Sequence, residues 1–167
     1  RYPLEETFAT FEELKSAGKI LSWGVSNFDV DDLDEALEIV GEGKIACNQV
    51  LYHLQERAIE HAVIPWCEMR KVAVVAYSPF GSGSFPPASS SGGRVIAEIS
   101  EAHGVTPRQV ALAFLTRRAS VFAIPKASSV EHAADNAASG DLVLSAADMD
   151  RIDKAFPIGR LKSLPMI

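Results

Sequence analysis

The chain has 167 residues and a formal net charge of −6, and 47% of its residues are hydrophobic. This length and composition are typical of one globular domain, and the absence of any Lys/Arg block argues against a nucleic-acid backbone or an anionic membrane as a partner. No apolar run reaches the length that spans a bilayer, and the first residues do not read as a signal or transit peptide, so we expect a cytoplasmic protein.

The first half of the chain alternates helical and strand patterns. Apolar residues recur at helical spacing from Leu4 and again after Asp29, which has the position of a helix cap. A further helix is predicted to begin at Pro65, because proline is tolerated in a first turn but not in a helix interior. Apolar strands accompany these helices and are predicted at residues 20–25, 45–51 and 72–77.

The second half repeats the alternation after a low-complexity segment. Residues 81–93 are rich in Gly, Ser and Pro and are expected to form a long mobile loop within a single domain, 1–167. A fourth strand is predicted at residues 121–124. Helices are predicted around Val95, from Thr106 to about residue 118, at 130–138 and at 145–156. Thr106 with Gln109 and Ser145 with Asp148 have the spacing of a capping box. Apolar strands that alternate with helices predict an all-parallel α/β sheet with each strand buried on both faces, either doubly wound or part of a barrel.

Polar side chains follow each predicted strand. The four strand ends read GVSNF (24–28), NQV (48–50), AYSPFG (76–81) and IPKAS (124–128). In a parallel barrel these ends meet on one face, where ligands bind, so one shared polar site is predicted. Amide and hydroxyl side chains there can bind a carboxamide, Tyr77 can stack on a flat ring, and Lys126 with neighbouring serines can hold a phosphate. These groups together suit a nicotinamide at one end and a phosphate at the other.

Each of these residues also has a structural interpretation when taken singly. Tyr77 could be a half-buried core aromatic, Asn27 a turn residue and Lys126 a solvated surface charge. The four strand ends taken together favour a shared binding site more strongly than any one of these residues does.

The four segments, in this order and with helices between them, resemble the aldo-keto reductase superfamily over almost the whole chain. The resemblance implies a TIM-type (β/α)8 barrel, of which this chain is the C-terminal (β/α)4 half, strands five to eight, followed by a closing helix. It also implies an oxidoreductase that uses NADP(H) to reduce a small aldehyde or ketone to an alcohol, by hydride transfer from the nicotinamide.

The resemblance further implies which residues bind the cofactor. In order from the nicotinamide carboxamide and ring, through the pyrophosphate and the 2′-phosphate, to the adenine, these residues are Ser26, Asn27, Gln49, Tyr77, Ser78, Phe80, Ser82, Lys126, Ser129, His132, Asp135 and Asn136. His132 stands where many members place an arginine, and Ala127 replaces a hydroxyl residue. Because imidazole holds phosphate less well than a guanidinium, NAD(H) stays open as an alternative cofactor.

The family's catalytic tetrad of Asp, Tyr, Lys and His has no counterpart in the chain. The resemblance implies that the tetrad lies upstream of Arg1, so the isolated chain is expected to be inactive. We expect His53, His61 and His103 to be surface or capping residues and not general acids. We also expect Cys47 and Cys67 to be buried, reduced thiols, since their spacing is not that of a metal site.

A second hypothesis is a catalytically inactive half-barrel that binds a nucleotide or serves assembly. Four parallel strands leave two unpaired edges and expose side chains built to fill a barrel. The expected partner is the missing N-terminal half-barrel or a second copy of the chain, which would close a dimeric pseudo-barrel. A phosphosugar isomerase is a weak third alternative, because the Gly-rich phosphate loop near the last strands is not seen.

Overall fold

Four parallel strands form one sheet in sequence order, and the computed structural model describes residues 3–160 and 164. The strands are β1 (Trp23–Ser26), β2 (Ile45–Leu51), β3 (Ala73–Tyr77) and β4 (Val121–Ala123). The helices are α1 (Leu4–Ser16), α2 (Val30–Val40), α3 (Val63–Arg70), α4 (Ser91–His103), α5 (Pro107–Leu115), α6 (Val130–Ala138) and α7 (Ala146–Ala155). Short 3-10 turns lie at Ala58–Glu60 and Ser139–Asp141. The prediction of an all-parallel α/β sheet is confirmed.

Reciprocal capping boxes fix where three of the described helices begin. Capping a helix satisfies N–H groups of the first turn that have no partner within the helix. In each of the three, the cap side chain accepts from a backbone N–H three residues later, and that residue's side chain accepts from the backbone N–H of the cap. The pairs are Asp29 with Asp32, Thr106 with Gln109, and Ser145 with Asp148. The caps predicted at these positions are therefore confirmed.

Several element boundaries differ from those predicted: β3 begins at Ala73, β4 ends at Ala123 and α5 ends at Leu115. The first strand begins at Trp23 and not at residue 20, since Leu21 is 93% exposed and joins no ladder. Helix α3 begins at Val63, which puts Pro65 third in the first turn, where its missing N–H leaves no bond unmade. Helix α4 begins at Ser91, so the last three residues of the predicted loop 81–93 are helical.

Within residues 3–160 and 164, helices cover only one face of the sheet. The paired residues Asn48, Val74 and Val121 are buried against the helices. The next residues along the same strands point the other way, and of these Phe122 is 57% exposed. The expectation that each strand is buried on both faces is therefore wrong for this chain, because its helices pack on one side. We call the uncovered side the open face.

A buried ionic cluster joins α7 to the segment that follows β2. Arg57 donates to Glu60 Oε1 at 2.6 Å and to Asp153 Oδ1 at 2.7 Å, while Arg117 donates to Glu60 Oε2 at 2.7 Å. The Tyr52 hydroxyl donates to Glu60 Oε1 at 2.7 Å. Burial favours the neutral acid, but the hydrogen bonds from Arg57 and Tyr52 outweigh it and hold the pKa of Glu60 below its usual value. We call these five residues the Arg57 cluster.

The contact between α4 and α7 predicts a pH-dependent stability. Hydrogen bonds from Ser145 and then from His103, whose Nε2 lies 3.0 Å from Asp148 Oδ2, lower the pKa of Asp148 below its usual 3.8. Because the pKa is lower in the folded state, ionised Asp148 adds stability above pH 3.8, and this is lost as the pH falls through the folded value. We expect Asp148→Asn to lower the free energy of unfolding by about 1 kcal/mol at pH 7.

Urea unfolding of both proteins between pH 7 and pH 2 checks this prediction. The difference should shrink below pH 3.8, and Asp150→Asn, an exposed change on the same helix, should stay near zero throughout. A difference that persists unchanged at pH 2 would contradict the role of Asp148.

Neither cysteine takes part in a disulfide. Cys67 is buried, as expected, and burial raises the pKa of its thiol to about 12. Cys47 is only half-buried, which corrects the expectation for that residue. Within residues 3–160 and 164, no helix has the length and apolar composition that crossing a membrane requires.

Candidate functional site

The carboxyl ends of β1, β2 and β3 bring four of the predicted site residues together. The Tyr77 hydroxyl donates to Asn27 Oδ1 at 3.1 Å, and the Ser26 hydroxyl donates to the backbone oxygen of Gln49 at 3.0 Å. The strand register puts Ser26 beside Gln49 and Gln49 beside Val75, two residues before Tyr77. Ser26, Gln49 and Tyr77 therefore share the open face. We call these three residues and Asn27 the strand-end cluster.

The backbone turns sharply at these strand ends. Asn27, Ser78 and Ser82 have φ values of 57°, 49° and 50°, in the left-handed region. The Asn27 N–H donates to the Gln49 oxygen at 2.9 Å, and the Gly81 N–H donates to the Ser78 oxygen at 2.8 Å. These bonds set the direction in which the chain leaves the sheet and hold the polar side chains at its rim.

Asn48 positions the turn after β1 and was not among the predicted site residues. Its side chain is fully buried; Nδ2 donates to the Phe28 oxygen at 2.8 Å, and Oδ1 accepts from the Phe28 N–H at 3.4 Å. A buried amide that satisfies both backbone groups of one residue fixes that residue in place. The sequence signal that could have identified Asn48 is an amide side chain at a helix-facing position of an otherwise apolar strand.

A pocket of about 320 Å³ lies beyond the end of β4. It is lined by Phe80, Arg108, Lys126, His132, Asp135 and Asn136. All of these except Arg108 are predicted site residues, and they come from three separate segments of the chain. Ser129 is not among the lining residues: its hydroxyl caps α6 by accepting from the His132 N–H at 3.1 Å. We call this cavity the cation pocket, because Arg108, Lys126 and His132 all line it.

Arg108 is the lining residue that the sequence analysis missed. It is the second residue of α5, and its guanidinium carbon lies 5.6 Å from the ring centre of Phe80 and 5.5 Å from that of Phe85. The two rings pack edge to face with their centres 5.9 Å apart. This arrangement is typical of a cation–π interaction, which orients the guanidinium over the rings.

A second cavity of about 520 Å³ adjoins the cation pocket and shares Arg108 and Asp135 with it. Its walls are residues 83 and 85–88 of the loop, with residues from the starts of α4 and α5. The Thr106 hydroxyl donates to Asp135 Oδ2 at 3.2 Å, and Gln109 Nε2 donates to the Asp135 backbone oxygen at 3.0 Å. These bonds fasten α6 to the start of α5.

The histidines are placed differently from one another. His61 and His103 are exposed, as expected; His61 Nε2 lies 3.2 Å from the Gly159 oxygen. His53 is half-buried, which excludes the surface alternative for this residue but not the capping one, and burial lowers the pKa of its imidazole. Its Nδ1 accepts from the Gln55 N–H at 3.3 Å, so it holds the turn after β2.

Sequence comparison identifies relatives along nearly the whole chain. The model of the aldo/keto reductase family matches residues 1–156. Methylglyoxal reductase YeaE of Escherichia coli is 40% identical over 162 residues, which are 97% of this chain and 57% of that protein. An NAD(P)H-dependent D-xylose reductase of Candida tropicalis is 32% identical over 166 residues, covering 91% of this chain and 48% of that protein.

Comparison of structures agrees with the sequence comparison. The crystal structure of an aldo-keto reductase from Klebsiella pneumoniae in complex with NADPH matches with a TM-score of 0.90 and 40% identity. The match covers 100% of this chain and 59% of that one. The chain thus spans about half the length of these relatives, and its four parallel strands correspond to part of their barrel. The chain belongs to the aldo/keto reductase family.

Proposed function

We propose that the chain is the cofactor-binding half of an NADP(H)-dependent aldo-keto reductase and corresponds to strands five to eight of the barrel. The observation that carries the proposal is the cation pocket, which gathers five predicted cofactor residues from distant parts of the sequence. The similarity to a reductase that was crystallised with NADPH supports the same assignment.

The strand-end cluster fits a nicotinamide. Asn27 Oδ1 already accepts from Tyr77, so the Asn27 amide N–H groups are left to donate to a carboxamide oxygen. Gln49 and Ser26 supply further amide and hydroxyl groups on the same face. The half-exposed ring of Tyr77 offers a flat surface for stacking. When bound, the cofactor supplies the hydride that reduces a carbonyl group.

The cation pocket fits the adenosine 2′-phosphate. Lys126 provides a point charge there, and Ser129 begins α6, whose first N–H groups point toward its amino end. Ser78, Phe80 and Ser82 follow Tyr77 on the connection toward the pocket and are proposed to line the pyrophosphate. We propose a small aldehyde or ketone as the substrate, in line with the name of the E. coli relative. The proton donor of the tetrad is proposed to lie in the rest of the protein.

Replacing Lys126 by Ala tests the cofactor assignment. In the full-length protein, the change should weaken NADPH by about 10- to 100-fold and NADH much less, because only NADPH has the 2′-phosphate and a charge-assisted hydrogen bond is lost. Dissociation constants from fluorescence titration check this, with Lys154→Ala on α7 as the control. His132→Arg should tighten NADPH selectively. Equal losses for both cofactors on Lys126→Ala would remove Lys126 from the phosphate site.

We also propose assembly through the open face as a second function, because Phe122 and Ile124 are 57% and 47% exposed there. Apolar side chains and unpaired strand edges favour association. The isolated chain is expected to form a dimer or a higher oligomer when no N-terminal half is present, and Phe122→Ser should shift it toward monomer. Light-scattering mass across a range of concentrations measures this. A monodisperse monomer at every concentration would contradict the proposal.

A further inference from the structure

We infer that Arg108 binds the 2′-phosphate and sets the preference for NADP(H) over NAD(H), an inference that rests on the proposed function. Arg108 lines the cation pocket together with Lys126 and His132 but comes from a different helix. Arg108 therefore gives the pocket a planar guanidinium that can bind a phosphate through two hydrogen bonds, which His132 cannot do.

The guanidinium of the exposed Arg108 lies against two aromatic rings while its donors stay available. The rings of Phe80 and Phe85 hold it from one side, with ring centres 5.6 and 5.5 Å from the guanidinium carbon. Among the residues that the structure describes, no carboxylate forms an ion pair with Arg108. A cation–π contact with the rings uses none of the guanidinium N–H groups in a hydrogen bond, so these groups can donate to a phosphate.

Among the described residues, Asp135 is the one acidic side chain that lines the pocket. Its two carboxylate oxygens accept from the Thr106 hydroxyl at 3.3 and 3.2 Å. Two permanent cations, Arg108 and Lys126, therefore face one carboxylate that another residue already holds. The pocket keeps a net positive charge, which matches the dianionic group that distinguishes NADP from NAD.

Two small probes separate the phosphate from the rest of the cofactor. Adenosine 2′,5′-bisphosphate and AMP differ only in the 2′-phosphate, and both would occupy only the part of the site around the cation pocket. We expect calorimetric titration of the chain to show that Arg108→Met weakens the bisphosphate about 10- to 100-fold and AMP less than about twofold. Arg108→Lys should recover part of the loss, since it restores the charge but not the fork. Arg118→Met, an exposed change just before β4, is the matched control and should leave both probes unaffected.

The outcomes distinguish an error in the role of Arg108 from an error in the proposed cofactor site. If the unmodified chain, folded by circular dichroism, binds neither probe, the proposed cofactor site is wrong and the inference falls with it. If the chain binds the bisphosphate and Arg108→Met changes nothing, the cofactor site stands and Arg108 has no part in it. Equal losses for both probes would assign Arg108 to the adenine or the 5′-phosphate and overturn its role in selectivity.

Discussion

Replacing Glu60 by Ala is expected to lower the free energy of unfolding by about 3–5 kcal/mol, because it removes the carboxylate that Arg57 and Arg117 share. The side chains of Arg57 and Glu60 are only 2% and 4% exposed. The Arg57 guanidinium would therefore stay buried and keep only part of its hydrogen bonds, including the one to Asp153. Urea unfolding at pH 7 measures the change.

Two further variants keep this prediction testable. Glu60→Gln retains an oxygen acceptor and most of the shape, so it should unfold at an intermediate urea concentration even if Glu60→Ala does not fold. Glu98→Ala breaks the exposed pair with Arg151 and should cost less than about 1 kcal/mol. A similar loss for Glu60→Ala and Glu98→Ala would show that burial of the Arg57 cluster contributes nothing.

Replacing Gly93 by Ala is expected to destabilise the protein by about 1–3 kcal/mol, because the new methyl group has no room. A Cβ on Gly93 would lie 2.0 Å from the Pro87 backbone oxygen, so the loop or the helix would have to move. Gly140→Ala is the matched control: no atom lies within 4 Å of its Cβ, and the change should stay within about 0.5 kcal/mol.

The same substitution reports on the cavity beside the cation pocket. Pro87 and Gly93 both line that cavity, so displacement of the loop should also weaken adenosine 2′,5′-bisphosphate in the calorimetric titration. Thermal and urea unfolding give the stability, and the titration gives the binding. Unchanged values for both quantities would mean that the loop moves aside at no cost.

Local signals in the sequence predicted most of the fold. The capping residues Asp29, Thr106 and Ser145 act within three residues of themselves, so their roles follow from short patterns. The predicted start of the first strand is wrong, because Ile20 and Leu21 have the apolar composition of a strand but pairing in the sheet begins only at Trp23. Apolar composition alone does not decide which residues join a ladder.

Contacts between distant residues were beyond the sequence analysis. Arg57 and Asp153 are 96 residues apart, and nothing in either local pattern indicates that they meet. Motifs identified the lining residues Phe80, Lys126 and His132, but Arg108 reaches the same pocket only because α5 packs beside the loop that carries Phe85. Burial of the strands on both faces was expected from their apolar composition. That expectation is wrong because the described helices all lie on one side of the sheet.

The left-handed turns at the strand ends have an evolutionary consequence. Within residues 3–160 and 164, Asn27, Ser78 and Ser82 are three of the four residues other than glycine with positive φ, the fourth being Lys71 at the end of α3. A side chain in this conformation costs about 1 kcal/mol or more relative to glycine, which adopts it freely. Glycine would adopt the same turns without this steric cost, but at position 27 it would also remove the acceptor of the Tyr77 hydroxyl. Selection for stability alone would favour glycine at positions 78 and 82, so a side chain in this conformation is expected where the side chain itself is needed.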